Sequence, residues 1–127
     1  MRPLIIGGQV WRVVRTNPGD PFLIDRTGVP RMATTDPVSK TIRISRIVMP
    51  PLFDMVYIHE AAHAAMEEAG VNRLLSQVTE ERGQVIMEEM LAWFLEHHSI
   101  EVIDAVTRSL GRPVCVKGTC IGATTWR

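Results

Sequence analysis

His59 and His63 stand four residues apart, with Glu60 beside the first of them. On an α-helix that spacing stacks two imidazoles one turn apart on one face, where both can offer a ring nitrogen to a single cation. Zinc is the ion this donor set suits. A catalytic zinc takes three protein ligands and keeps one position open for water, so the two histidines require a third ligand from elsewhere in the chain. Glu60 need not be that ligand. A glutamate next to the first histidine is placed to take a proton from water activated by the ion and to return it to a leaving amine. The chemistry this arrangement predicts is hydrolysis of a peptide bond. His-Glu-x-x-His fixes only three positions, and its plain alternative is a chance match on a surface helix. Four histidines in 127 residues make such a coincidence rarer here.

Glu88 and Glu89 lie about 25 residues beyond His63 and can supply the third ligand. Turning the helix by about 100° per residue centres its apolar stripe near Ile86, Met90, Trp93 and Phe94. Glu89 then sits closer to the buried side, and Glu88 points nearly the opposite way. A carboxylate at the margin of a buried stripe needs a cation to offset its desolvation. Glu89 is therefore the expected ligand and Glu88 the alternative. The plain reading of the pair is a solvated acidic patch with Glu80, Glu81 and Glu96. His97 falls on the same apolar side and reads as a packing residue, with His98 more peripheral. The Tyr57 hydroxyl could stabilise an oxyanion, although packing is its plainer role.

The elements that must hold these groups follow from periodicity and punctuation. Residues 9–15 are rich in β-branched and aromatic side chains and stop at the turn formers of 17–21, which predicts a strand and a loop. Residues 22–24 predict a short extended piece. Residues 41–47 alternate apolar and polar with period two, a strand with one wet face. After Pro50-Pro51 the period becomes helical through Val56, Tyr57, His59, Ala62, His63 and Met66, and Gly70 supplies a stop, so a first helix is expected at about 51–69. Its alanines, Ala61, Ala62, Ala64 and Ala65, favour helix and let a neighbouring element approach closely. Residues 71–79 read as a helical turn and a loop. A second long helix runs from Glu80 past His98, with a break near Ser99, and ends at Gly111-Arg112-Pro113. The tail, 114–127, is an extended arm or disordered.

Length and composition bound the function. A chain of 127 residues suits one domain, here one metallopeptidase-like domain over 1–127. Fourteen Lys and Arg against fourteen Asp and Glu give zero net charge, so nothing advertises nucleic acid or an anionic membrane as a partner. The N-terminal apolar run is too short for a signal peptide, and no later stretch is long enough to span a bilayer. A cytoplasmic protein with a protein or peptide substrate is expected, with Cys115 and Cys120 as two reduced thiols in the tail and a small disulfide loop between them as the alternative.

The residues quoted above resemble a known family. The strand residues 41–45, the proline-marked helix start, the run 57–64 around the histidines and the run 88–94 are similar to the small ImmA/IrrE-type zinc metallopeptidases, including compact versions from phages and mobile elements. The resemblance spans about residues 38–98. It implies zinc on His59, His63 and a glutamate of the Glu88-Glu89 pair, with Glu60 as general base. It also implies a minimal, gluzincin-like zincin fold of class α+β: a small antiparallel sheet packed against the active-site helix, with a second long helix behind. The chain departs from the family in having Ala61-Ala62 where Leu-Gly is common, and in lacking the helix-turn-helix domain of many larger members. The competing function is a catalytically silent zinc-binding regulatory or protein-interaction module on the same fold. Retention of Glu60 argues against it, because a structural site has no use for a base.

Overall fold

The computed structural model describes residues 1–25, 27–71, 73, 80–116 and 119–121. For residues 80–86, 88, 89, 92, 96, 116 and 119–121 it describes the backbone alone. The reading of 71–79 as a turn and loop falls almost wholly outside these residues.

Strands β1 (Leu4–Ile6) and β2 (Gln9–Thr16) form a hairpin in which Ile6 pairs with Gln9 across Gly7-Gly8. Both glycines have positive φ, +56° and +74°, as a two-residue hairpin turn demands. Gly7 has a second reason to be glycine, since a Cβ there would lie 2.9 Å from Glu68 Cβ. After a single 3-10 turn at Pro21–Leu23 come β3 (Ala33–Asp36) and β4 (Thr41–Ser45). The sheet order is β1-β2-β4-β3, leaving β3 at an edge.

The fold class is α+β, as expected, with the sheet packed against the histidine-bearing helix α1 (Leu52–Glu68) and a long helix α2 (Glu80–Leu110). One pairing corrects the all-antiparallel expectation. β2 and β4 run parallel, Arg12 beside Thr41 through Thr16 beside Ser45, so the sheet is mixed. Parallel neighbours need a long crossover, and residues 17–40 provide it, folding β3 antiparallel onto the far side of β4 on the way. β1 and β3 carried too little alternation to be recognised, and 22–24 form a 3-10 turn with an isolated bridge, Ile24 to Pro30, in place of an extended piece.

Helix α1 begins just after Pro50-Pro51 and closes at Gly70, whose φ of +77° is the left-handed conformation of a helix stop. Its buried residues, Phe53, Tyr57, Ala61, Ala64 and Ala65, recur at three- and four-residue steps and face Leu4, Ile6, Trp11, Ile42 and Ile44 of the sheet within one apolar cluster. Helix α2 is continuous through Ser99, where a break was expected. Its buried stripe runs through Phe94, Val102, Ala105 and Val106. Among the described residues no helix is long and apolar enough to cross a membrane.

Two charged contacts hold α1 in place. Arg15 donates from Nη2 to the carbonyls of Ser45, Arg46 and Val48, at 3.2, 3.2 and 2.8 Å, and its guanidinium lies 4.7 Å from the Phe53 ring centre. It thus gathers the segment leading into the helix. Asp54, 5% exposed, accepts both terminal nitrogens of Arg112 at 2.7 Å and the Cys115 N–H at 2.9 Å. The Arg112 hydrogen bonds hold the Asp54 carboxyl below the usual carboxylate range against the opposing effect of burial, with the Cys115 N–H and the Arg112 charge assisting.

Of the two readings of the tail, extended or disordered, the described residues are extended, and 117, 118 and 122–127 lie outside the described residues. Strands β5 (Val114–Val116) and β6 (Thr119–Ile121) pair antiparallel with Cys115 opposite Cys120, and Cys115 is disulfide-bonded. Directly opposed residues bring their Cα atoms to about 4.5–5.5 Å, within disulfide range, so the ladder itself makes the bond accessible. Asp54→Ala should destabilise the protein by about 2 kcal/mol in chemical denaturation, because it removes the acceptor of three hydrogen bonds from Arg112 and Cys115; Arg112, half exposed, rehydrates and limits the loss.

Candidate metal centre

Burying the Tyr57, Ala61 and Ala64 face of α1 turns His59 and His63 outward, both exposed, on the opposite side of the helix. Their Nε2 atoms lie 3.2 Å apart, and the ring centres 4.9 Å. Two ligand nitrogens at zinc-to-nitrogen distances of about 2.0–2.1 Å on tetrahedral vertices would be separated by about 3.3 Å. The pair therefore fits two corners of a zinc site as it stands. Without a cation, neutral rings at this distance share one N–H···N hydrogen bond, which fixes the same convergence. Partial desolvation pushes the His63 pKa below the ordinary histidine value; the nearby Glu60 charge opposes this and His59 adds to it. A lowered pKa keeps the ring neutral, the form that ligates metal.

Glu60 is 7% exposed, between α1 and the edge strand β3. Thr35 Oγ1 lies 3.0 Å from its Oε2 and 3.2 Å from its main-chain oxygen. Thr35 escaped the sequence reading because β3 did. The β-branched pair Thr34-Thr35 ahead of the Asp36-Pro37 turn was the available signal. A cleft of about 310 Å³ opens beside His59 and Glu60, lined by Leu52, Met55 and Val56 of α1 and by Arg31, Met32 and Ala33 leading into β3.

The other candidates sort differently. The side chains of Glu88 and Glu89 lie outside the described residues, so the third-ligand assignment has no geometry here. Among the described residues, no group of three or more His, Cys, Asp and Glu gathers where it could hold a metal. The stripe used to rank Glu89 above Glu88 is out of phase: Trp93 is 45% exposed, and His97, expected to pack inside, is exposed and stacked on Trp93. The wheel treated Trp93 as core because it is large and apolar, whereas Phe94 carries the burial at 4% exposed. His98, the less exposed of the two, bonds Glu101 at 3.0 Å.

Tyr57 is a packing residue, fully buried, with its hydroxyl 2.6 Å from Ser109 Oγ. Ser109 Oγ donates its one hydrogen to the Arg2 carbonyl at 2.6 Å, so Tyr57 must be the donor to Ser109. No family model, curated protein or solved structure matches the chain.

Burial pushes the Tyr57 pKa up from 10.0 to about 12. The unfolded chain therefore loses its tyrosine proton first. The stability held by this group is intact below pH 10.0 and is lost as pH rises toward about 12, by at most about 1.4 kcal/mol per pH unit. Denaturation series over that window should show a shallower alkaline loss for Tyr57→Phe than for wild type. Equal slopes would mean that this hydroxyl ionises freely.

Proposed function

We propose that the chain is a zinc-dependent metallopeptidase, with one zinc held by His59, His63 and a carboxylate of the Glu88-Glu89 pair, Glu89 in the sequence reading, and with Glu60 as general base. The observation that carries this reading is the 3.2 Å convergence of the two Nε2 atoms on the face beside Glu60. Bound there, zinc supplies Lewis acidity, acidifying water and polarising a peptide carbonyl. Glu60 takes the proton from the attacking water and delivers it to the departing amine. The burial of Glu60 keeps bulk water from competing for that proton. The apolar lining of the cleft, Met32, Leu52, Met55 and Val56, gives a substrate side chain a place next to the base.

The purified protein should carry about one zinc per chain, and His59→Ala or His63→Ala should remove it. Full metal content in both variants would place the ion elsewhere. Glu60→Gln should keep fold and zinc while lowering cleavage by about 10²–10⁴-fold. Comparable turnover of wild type and variant would show that Glu60 is not the base. Zinc binding by both without cleavage of any peptide by the wild type would favour the silent binding module. Because the wheel no longer ranks the glutamates, Glu88→Gln and Glu89→Gln are compared in a chelator competition, and the ligand is the one whose loss strips zinc faster.

A further inference from the structure

We infer that Thr35 is a positioning residue for the Glu60 base, an inference that rests on the peptidase reading of the site. An ionised carboxylate only accepts hydrogen bonds, so the 3.0 Å contact with Oε2 is a donation from the Thr35 hydroxyl. The second acceptor in reach, the Glu60 main-chain oxygen at 3.2 Å, belongs to α1 and already serves the helix ladder. Among the described residues nothing donates to Oε1. The two carboxylate oxygens are thereby divided, Oε2 tied to the sheet and Oε1 left to receive the proton.

The tie is stiff because of where Thr35 sits. It is paired with Ile42 inside the β3–β4 ladder, so its hydroxyl is placed by main-chain hydrogen bonds of a strand. Glutamate has three side-chain torsions and, unheld, samples several rotamers. Holding Oε2 removes that search before substrate arrives. The contact acts on turnover more than on substrate binding, since Thr35 orients a group whose work is done in the transition state.

The test compares Thr35→Val, nearly isosteric but without the hydroxyl, with Thr35→Ser, which restores it. Zinc content, kcat and KM are read on a peptide the wild type cleaves, and crystal structures of wild type and Thr35→Val are determined alongside. The expected result is a fall in kcat of about 10- to 100-fold in Thr35→Val, with KM and zinc content held and kcat recovered in Thr35→Ser. An unchanged kcat in Thr35→Val, or a loss confined to KM, overturns the inference, as does failure of Thr35→Ser to rescue. Should Thr35→Val fold poorly, Thr35→Ala takes its place under the same criteria. If the wild type cleaves no peptide, the peptidase reading fails, and the Glu60 conformation decides separately. A carboxylate that leaves its wild-type position only when the hydroxyl is gone upholds the positioning role, and one that stays put overturns it.

Discussion

A helix has one phase, and burying one of its faces decides what every other residue on it does. In α1 that face is Phe53, Tyr57, Ala61 and Ala64, seated on Leu4, Trp11, Ile42 and Ile44. Small residues at 61 and 64 let the helix lie close on the sheet. Once it lies there, two histidines four residues apart have nowhere to point but away from the sheet, together. Glu60 falls at the border of the buried face, near enough to the core to be shielded and near enough to β3 to be held. The arrangement of the site is a by-product of how the helix packs, provided that the helix cannot slide or roll.

Sliding is opposed at the N-terminal end of the helix by two ties. Arg15 ties the incoming segment to β2, and Asp54 ties the first turn to Arg112 and Cys115 beyond α2. Neither contact touches a reacting group. Arg15 reaches residues 45–48 only because β2 and β4 are adjacent, and Arg112 reaches Asp54 only because α2 ends at Gly111 and turns back. The placement of the histidines therefore depends on long-range topology far more than on the local motif.

That dependence explains what was legible in the sequence. The helix 51–69, its proline-marked start, its glycine stop and the convergence of His59 and His63 follow from spacing within one element, and all could be read directly. Thr35 could not, because its role exists only after β3 has been brought beside α1 by sheet pairing. The phase of α2 was misread for a related reason: Trp93 and Phe94 are both apolar, and only the neighbouring helix and strands decide that Phe94 goes inside. The spacing of Cys115 and Cys120 left a small disulfide loop open beside the preferred reading of two reduced thiols, and only the pairing of β5 with β6 decides for the bond. Such a bond persists where thiols are not kept reduced, and it pulls against the cytoplasmic expectation.

The parallel partnership of β2 and β4 has a kinetic side. Its ladder can close only after the intervening segment, residues 17–40, has been looped out, and that loss of chain entropy comes before any pairing is formed to offset it. Helical turns form and dissolve within about a microsecond, far faster than a sheet of this topology can close. The seat on which Tyr57 and the alanines of α1 pack is therefore complete only once that ladder has closed. The time taken to bury this face is set by loop topology and is indifferent to whatever the two histidines bind.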